Sequence, residues 1–398
     1  MKIRLVTVHP FDPWGSKIGG IETLIRSMLR NAPDDFKLEL IGVTENPETR
    51  PVGRWNHMEF EGRPVSFYPL FPVLQPNERT RIPLFLKFSW KLRRAGFGDI
   101  NAVFFYHRIE PLAMARIASR QSLLCIHGNP DEMISKQSEV KWKHAPTLYL
   151  RAEQKAIAKA HKVWVVSQKG KEVLSGRYPA QADCFSFLPT WYWEDIFHPT
   201  PEEIHERARQ DLCAECKTSA ITRFLLFAGR WEKQKNPLLV LDAFSIIKEK
   251  FPNVCLLMVG TGSLKPEVEA RVKELKLEGQ VLFPGAIEQD LLAHVMKGSD
   301  ALLLASSFEG LPLIVLEAQA SGLPVVATDT GEIKRIIKEG ETGRIAEKME
   351  AKWLAKGALD ILNHPSRYRR EACFATAEPY QSHRVLQTIF QSIRAAVD

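Results

Sequence analysis

The stretch ALLLASSFEGLPLIVLEAQASGLPVVATD, residues 301–329, decides the fold class. Its two ends are short apolar runs, which are typical of strands buried on both faces, and its centre has the length of a helix. Pro312 near the start of that centre, and Gly322 with Pro324 near its end, are residue types expected at helix termini. The stretch therefore predicts a strand, a helix and a second strand parallel to the first.

The same alternation extends through most of the chain. From residue 222 onward, apolar runs such as RFLLFAGR, VCLLMVG and QVLFPG alternate with helix-like segments. The first half repeats the scheme more loosely, with candidate strands in KIRLVTVHP, KLELIGVT, INAVFFYH, LLCIHG and KVWVVS. Strands separated by helices of about 10–15 residues indicate a parallel sheet with helices on both faces. We therefore expect an α/β protein with Rossmann-like, doubly wound domains.

The length of 398 residues exceeds what one hydrophobic core usually supports. A stretch rich in proline and aromatic residues, FLPTWYWEDIFHPTPEEI, separates the two halves. We expect one domain over residues 1–190, a second over residues 191–375, and a C-terminal helix over residues 376–398 that packs across the domains.

The composition is that of a folded protein with an anionic partner. Hydrophobic residues make up 45% of the chain and charged residues 25%, which is the ordinary balance of a globular protein. The net charge of +7 suits a nucleotide, a nucleic acid or an acidic membrane surface, and it does not choose among them. Because the N-terminus lacks a signal-peptide core and no run of about 18 apolar residues is present, we expect a cytoplasmic location.

The six cysteines favour buried thiols over a disulfide framework, because most lie within strand-like runs. Cys213 and Cys216 form a C-x-x-C pair. A zinc site usually needs a second such pair or nearby histidines, so this pair is a weak indication of a metal.

Two acids in the opening stretch indicate a site. Glu309 follows a strand, in the place where ligands of open α/β sheets bind, and the next helix starts with free backbone N–H groups that attract anions. Those groups belong to Gly310, Leu311 and Leu313. Glu317 lies further along the helix among apolar residues, where a carboxylate needs a hydrogen-bonding partner. The alternative is that both acids are solvated helix residues.

A second motif, FAGRWEKQKNP, follows the first strand of the same predicted sheet. Arg230 and Lys235 supply a guanidinium fork and a point charge, which together suit a diphosphate without a metal. Such residues in a loop are usually only solvated. Their place in the same sheet as Glu309 favours a functional role.

These motifs together resemble a known family. The E-x7-E pattern of Glu309 and Glu317, with Arg230, Lys235 and the N-terminal GGIE, is similar to the retaining glycosyltransferases of family 4. The resemblance spans nearly the whole chain, is strongest over residues 220–345 and is weak over residues 45–100. It implies the GT-B fold, in which two Rossmann-like, doubly wound parallel-sheet domains face an interdomain cleft.

The resemblance implies a role for each motif residue. Glu317 would accept hydrogen bonds from the ribose hydroxyls of a nucleotide-sugar, and Glu309 would orient the sugar. Arg230 and Lys235 would hold the diphosphate and stabilise the charge that develops as the nucleotide leaves. The backbone that would assist Glu309 belongs to Gly310, Leu311, Pro312 and Leu313. Neither a metal nor a cofactor is expected, and the sequence contains no D-x-D motif for Mg²⁺.

The resemblance adds further residues whose own signals are weak. His127, at the end of LLCIHG, matches a histidine near the anomeric carbon, although a lone histidine there is more often a core residue. The donor-binding residues implied outside the two motifs are Gly19 and Gly20 in the first domain, and Gly262, Pro284, Gly285 and Ala286 in the second. A lone pair of glycines is usually only a turn.

The segment at residues 79–97 contains no acid and carries basic and large apolar residues. Lys87, Lys91 and Arg94 share one helical face. A basic amphipathic helix of this kind can lie on an anionic membrane. An ordinary helix with a solvated basic face is an equal alternative.

The residues and the resemblance together predict an enzyme, a hexosyltransferase. It would move a hexose-type sugar from a nucleoside-diphosphate sugar to a hydroxyl of a glycan or lipid-linked acceptor, in surface polysaccharide or glycoconjugate assembly. A UDP-sugar is favoured and GDP-mannose is possible. The location would be cytoplasmic, with possible peripheral contact at the inner membrane face.

Two other functions stay open at this stage. The first is a nucleotide-sugar epimerase of the same fold, which would need no acceptor. The second is a non-catalytic protein that binds nucleotides or nucleic acid. No recognised nucleic-acid module is present, so a nucleic-acid partner is not expected.

Overall fold

Two parallel sheets, one in each half of the chain, organise the structure. The computed structural model describes residues 2–16, 19–74, 82–97, 101–116, 121–134, 141–217, 222–395 and 397, without the side chains of residues 132 and 141. The chain divides into a first unit, residues 1–190 with 382–398, and a second unit, residues 191–381. The expected pair of Rossmann-like domains is confirmed.

The first unit begins with an eight-stranded sheet. Its elements are β1 (Ile3–Val8), α1 (Gly20–Arg30), β2 (Phe36–Thr44), β3 (Asn56–Phe60), β4 (Arg63–Pro72), α2 (Leu84–Ala95), β5 (Val103–Tyr106), α3 (Ile109–Met114), β6 (Ser122–Ile126), α4 (Pro130–Ile134), α5 (Pro146–Lys159), β7 (Lys162–Val165), α6 (Gln168–Arg177) and β8 (Phe185–Phe187). The strand order is β3-β4-β2-β1-β5-β6-β7-β8, and only the β3–β4 pair is antiparallel.

The second unit has a six-stranded, wholly parallel sheet. Its elements are α7 (Glu202–Glu215), β9 (Arg223–Ala228), α8 (Pro237–Lys250), β10 (Val254–Val259), α9 (Lys265–Glu274), β11 (Val281–Gly285), α10 (Gln289–Gly298), β12 (Ala301–Leu304), α11 (Leu313–Ala320), β13 (Val325–Thr328), α12 (Ile333–Ile336), β14 (Gly343–Ala346), α13 (Ala351–Asn363) and α14 (Arg370–Ala377). The order β11-β10-β9-β12-β13-β14 is that of a doubly wound sheet.

Burial on both faces explains the apolar strands of the second unit. Every residue of β9 beyond its first, and every residue of β10 and β12, is buried. Alternate residues of these strands enter two separate apolar cores, one on each face of the sheet. This is why the strands read as continuous apolar runs and not as alternating ones.

The last helix, α15 (Ser382–Ala395), belongs to the first unit. The ring of Phe390 lies 5.0 Å from that of Phe36, and Arg394 forms an ion pair of 2.7 Å with Asp35. The sequence-based division places a separate segment from residue 376. In the structure residues 376–381 are part of the second unit and residues 382–398 complete the first.

The helix of the opening stretch begins one residue later than its proline suggests. Pro312 has extended backbone angles and precedes the first helical residue, Leu313. At the other end Gly322 adopts a φ of +74°, a left-handed conformation that suits glycine, and Leu323 N–H donates to Ala318 O over 2.8 Å. The predicted terminal residues therefore bound α11.

The predicted basic helix is present as α2, and residues 79–81 of the segment lie outside the described residues. Phe88 and Leu92 are buried in the core of the first unit, whereas Lys87, Trp90 and Arg94 are exposed. The guanidinium of Arg94 lies 4.1 Å from the centre of the Trp90 ring. Among the described helices, none combines the length and the hydrophobicity needed to cross a membrane.

Candidate active site

The candidate site lies where the strand order of the second sheet reverses. β9 pairs with β10 on one side and with β12 on the other, so the chain leaves the ends of β9 and β12 in opposite directions. Loops that diverge at such a point leave a crevice at the carboxyl edge of the sheet. The loop after β9 carries Arg230 and Lys235, and the loop after β12 carries Glu309.

An ion pair joins these two loops. Lys235 Nζ lies 2.5 Å from Glu309 Oε1, and the two side chains are 17% and 9% exposed. A charged pair that is largely removed from water interacts more strongly than one on the surface. The structure therefore brings together two residues that are 74 positions apart in the sequence and were predicted from separate motifs.

Backbone contacts hold the same two loops in register. Gln234 Nε2 donates to Phe308 O over 3.0 Å, and Ser307 N–H donates to Gln234 O over 2.8 Å. Gln234 thus binds the two residues that directly precede Glu309. These bonds limit the movement of the ion pair, since each loop is anchored next to its charged residue.

A third loop, after β13, packs against the backbone of Glu309 and Gly310. Gly331 has a φ of +58°, and a Cβ atom there would lie 2.1 Å from Gly310 O. Glu332 N–H donates to the same carbonyl over 2.8 Å. Only glycine allows this close approach. The loop after β13 therefore fixes the position of the Gly310 carbonyl.

Arg230 is exposed, unlike the ion pair. It follows Gly229, whose φ of +152° turns the chain at the end of β9. Within the described part of the chain its guanidinium has no hydrogen bond or ion pair. Arg230 is therefore available to an anion from solution, whereas Lys235 would have to share its charge with Glu309.

Glu317 occupies an apolar setting on α11. It is 5% exposed, and its burial raises the pKa of its carboxyl group to about 8. Among the described residues, none forms a hydrogen bond with this carboxyl group. A buried polar group without a partner is costly, so the position is more readily explained by a ligand that supplies hydrogen bonds.

The other predicted donor-binding residues of the second unit lie in the loop after β10 and at the end of β11. A Cβ atom on Gly262 would lie 2.5 Å from Trp231 O. Packing against Trp231 therefore requires glycine at this position, whether or not a ligand binds. Gly285 has a φ of +81° and accepts a hydrogen bond of 2.7 Å from Gly260 N–H. Pro284 and Ala286 on either side are exposed. The structure thus joins these loops to the backbone next to Arg230.

In the first unit, Gly19 and Gly20 begin α1. Gly19 has an extended backbone and a Cβ atom there would lie 2.4 Å from Glu22 Oε2. Gly20 is exposed, and a Cβ atom on it would meet no described atom within 4 Å. Gly20 therefore leaves the backbone at the start of α1 accessible to solvent. Gly19 provides the space that the Glu22 side chain occupies.

His127 belongs to a cluster that the sequence analysis did not find. His107 Nδ1 lies 3.0 Å from His127 Nε2 with the two rings stacked, and His9 Nε2 lies 3.5 Å from Glu22 Oε1. Burial lowers the pKa of His127 to about 3 and that of His107 well below its usual value, and His9 lowers both further. Both imidazoles are therefore neutral at physiological pH.

A sequence signal for these histidines exists. Each of β1, β5 and β6 is followed directly by a histidine, as TVHP, FFYH and CIHG show. Because the three strands are neighbours in the sheet, their carboxyl ends meet. The repetition of a strand followed by histidine predicts the cluster, whereas His127 taken alone does not.

None of the six cysteines, all of which lie in the described part of the chain, forms a disulfide bond, as expected. Four of them, Cys125, Cys213, Cys255 and Cys373, are buried. The pair Cys213 and Cys216 belongs to no group of potential metal ligands among the described residues. The weak zinc indication of the C-x-x-C motif therefore gains no support.

The second unit is similar in sequence to a known family. Residues 218–375 match the family model of glycosyl transferases group 1. The match lies wholly inside the second unit and includes Arg230, Lys235, Glu309 and Glu317. The segment that is similar to this family therefore contains all four of these site residues.

Individual curated proteins are similar to part of the chain. N-acetyl-alpha-D-glucosaminyl L-malate synthase of Bacillus anthracis is 30% identical over 199 residues, which are 50% of this chain and 51% of that protein. The chain spans about half the length of the curated relatives it matches.

Solved structures resemble nearly the whole chain. Sucrose-phosphate synthase of Thermosynechococcus elongatus matches this structure with a TM-score of 0.81 at 18% identity. The match covers 99% of this chain and 99% of that one. Anabaena HepE in complex with UDP-glucose has a TM-score of 0.72 at 16% identity, over 99% of this chain and 100% of that one. These likenesses confirm the expected GT-B fold class.

Proposed function

We propose that the protein is a retaining glycosyltransferase of family 4 that transfers a hexose-type sugar from a nucleoside-diphosphate sugar to a hydroxyl group. The observation that carries this proposal is the ion pair of 2.5 Å between Lys235 Nζ and Glu309 Oε1 at the switch point of the second sheet. A cation and a carboxylate held together at that edge can bind the two ends of a sugar diphosphate, which offers phosphate oxygens and sugar hydroxyls.

The diphosphate would bind between Arg230 and Lys235. Arg230 offers a guanidinium fork that has no competing partner among the described residues. As the bond between sugar and phosphate breaks, negative charge grows on the diphosphate, and both cations stabilise it. This arrangement needs neither a metal nor a cofactor.

Glu309 would orient the sugar once the diphosphate draws Lys235 away from it. Its carboxylate accepts hydrogen bonds from sugar hydroxyls, and the backbone of Gly310, Leu311, Pro312 and Leu313 lines the same place. The acceptor hydroxyl would attack from the face that the nucleotide leaves, so the anomeric configuration is kept. His127, Gly19 and Gly20 would have the roles that the family resemblance implies for them.

The nucleoside would lie towards Glu317 and the loops after β10 and β11. The Glu317 carboxyl group lacks a hydrogen-bond partner among the described residues, and two ribose hydroxyls would supply that partner. The base would contact backbone at Gly262 and at Pro284, Gly285 and Ala286. A UDP-sugar is the favoured donor, in line with the UDP-glucose in the HepE structure, and GDP-mannose is the alternative.

The acceptor would be a glycan or a lipid-linked glycan in surface polysaccharide or glycoconjugate assembly. The exposed basic residues of α2 would bring the enzyme to an anionic membrane, at the cytoplasmic face of the inner membrane. Trp90 is 45% exposed beside Arg94 and suits the interface between water and lipid.

The test compares the wild type with Glu309→Gln on a panel of UDP-sugars and GDP-mannose, with glycan and lipid-linked acceptors. Release of UDP or GDP measures turnover, and nuclear magnetic resonance of the product measures the anomeric configuration. We expect retention, and a kcat about 100-fold lower in the variant, because a neutral amide holds the sugar less well in the reacting geometry. Glu267→Gln, at an exposed position of α9, is the matched control and should leave kcat unchanged.

Three outcomes would contradict the proposal. Near-normal turnover by Glu309→Gln would remove the role of that residue. An isomerised sugar formed from the donor alone would identify an epimerase. Binding of a random nucleic-acid duplex without any response to nucleotide-sugars would indicate a binding protein.

A further inference from the structure

One face of the first sheet collects nitrogen and sulfur side chains at its carboxyl edge. The register pairs Tyr106 of β5 with Leu124 of β6, which brings the following residues, His107 and Cys125, opposite each other. Tyr106 and Leu124 enter the apolar core on one face of the sheet. His107, Cys125 and His127, which alternate with them, therefore lie on the other face.

The donor atoms of these three residues converge. One donor atom each from His107, Cys125 and His127 lies within 4.8 Å of the other two, and His107 Nδ1 is 3.0 Å from His127 Nε2. In a tetrahedral zinc site, bonds of about 2.0 Å to nitrogen and 2.3 Å to sulfur place neighbouring ligand atoms about 3.3–3.6 Å apart. Side-chain shifts of about 1 Å or less would therefore give ligand geometry.

The unused nitrogen of His107 is a second observation that points to a ligand. His107 is 3% exposed, and its Nε2 atom has no hydrogen-bond partner among the described residues. A buried ring nitrogen without a partner is destabilising. Coordination of a metal through Nε2 would give this atom a partner, whereas coordination through Nδ1 would leave it without one.

The donor types select the metal. Two imidazoles and a thiolate suit Zn²⁺, whereas Mg²⁺ and Ca²⁺ prefer sets of oxygen ligands. Three protein ligands leave a fourth position for water. The carboxylate of Glu22 adds negative charge nearby through its 3.5 Å contact with His9, which reduces the cost of placing a cation here. Half-buried His127 gives the ion access from solvent.

We propose that His107, Cys125 and His127 form a binding site for one Zn²⁺ ion in the first unit. Binding is a property of the protein alone and does not depend on the proposed transfer reaction. One consequence does rest on the proposed function. An imidazole that coordinates a metal cannot also hydrogen-bond a sugar, so Zn²⁺ would inhibit transfer.

The test uses Co²⁺ as a spectroscopic substitute for Zn²⁺, with the full-length protein and no nucleotide. We expect one Co²⁺ per chain, with the intense visible bands of a tetrahedral site and a near-ultraviolet thiolate-to-Co²⁺ band. One equivalent of Zn²⁺ should displace the Co²⁺. Cys125→Ser should abolish the thiolate band, and Cys184→Ser, in the same unit, is the matched control that should keep it.

Because Cys125 is buried, His127→Gln provides a second variant at a half-buried position. Loss of a ligand should weaken Zn²⁺ binding by more than about 100-fold, since loss of an outer partner of a ligand already costs about 10- to 100-fold. Circular dichroism confirms that each variant is folded. Absence of the thiolate band in the wild type, or its survival in Cys125→Ser, would show that the cluster is only a packed hydrogen-bonded pair.

Discussion

Glu317 lies within α11 with a carboxyl group that burial keeps largely protonated at neutral pH. Its pKa is raised to about 8, well above that of an exposed glutamate, and desolvation is the cause. The folded protein therefore holds a proton that the unfolded chain releases at a lower pH. We therefore expect Glu317 to make the free energy of unfolding depend on pH.

The sign of that dependence is testable. Between about pH 4.5 and 8 the folded state binds one proton more than the unfolded state, so the stabilisation is complete at low pH and is lost as pH rises through 8. We expect Glu317→Gln to remove a slope of up to about 1.4 kcal/mol per pH unit from the free energy of unfolding. Urea titrations from pH 5 to 8 measure this slope.

Glu267→Gln serves as the control for the same measurement, because it makes the same chemical change at an exposed position. Its slope should equal that of the wild type. An unchanged slope in Glu317→Gln would mean that the carboxyl group is ionised in the folded protein.

At the scale of residues, site residues that belong to a recognisable motif were predicted from the sequence. Residues that meet only because their strands are neighbours in the sheet were not. Glu309 and Lys235 were predicted from separate motifs and are in contact. His9 and His107 were missed, because their meeting depends on β1, β5 and β6 being neighbours. The role of Gly331 was also missed, because glycine is needed there only where the chain folds back against the backbone of Glu309 and Gly310.

At the scale of elements, buried parallel strands were predictable and exposed ones were not. All ten strands proposed from apolar runs are present. β3 and β4 were missed because β3 has only one buried residue and β4 contains Pro64, Pro69 and Pro72, which argue against a strand. β14 was missed because its four residues, GRIA, are only partly apolar. A strand that is buried on both faces is a continuous apolar run, and such a run can be recognised in the sequence.

The helix α2 carries a prediction of its own. Lys87, Lys91 and Arg94 should bind vesicles that contain phosphatidylglycerol, with about 1 kcal/mol from each charge. The variant with all three residues changed to Glu should therefore bind at least about 100-fold more weakly, as vesicle sedimentation measures.

The matched control changes Lys248, Lys250 and Lys273 of the second unit to Glu, which alters the net charge equally. It should retain vesicle binding if α2 is the contact. Equal binding of the wild type to neutral and anionic vesicles would instead make α2 an ordinary helix with a solvated basic face.

At the scale of the whole molecule, the C-terminal helix α15 completes the first unit. Phe390 is 2% exposed and its ring lies 5.0 Å from that of Phe36, so it is part of the packing at the edge of that unit. The sequence shows the amphipathic helix but not its partner, since nothing local to residues 382–395 specifies which sheet it covers.

Phe390→Ala should destabilise the first unit and spare the second. A buried phenylalanine changed to alanine costs about 3–5 kcal/mol, and a cavity remains where the ring was. Hydrogen exchange measured by mass spectrometry should show faster exchange in peptides of residues 1–190 than in those of residues 191–381. Gln387→Ala, on the exposed side of α15, should change stability by less than about 0.5 kcal/mol. Equal loss of protection in both units would contradict this assignment.

The return of α15 to the first unit also sets an order of events during protein synthesis. The first sheet leaves the ribosome early, but its covering helix emerges only after the whole second unit has been made. At about 5–20 residues per second, the intervening 191 residues take about 10–40 s. During that interval the nascent first unit exposes the apolar surface around Phe36, whereas the second unit can finish folding as soon as it emerges. The half of the protein that is translated second is therefore the half that can mature first.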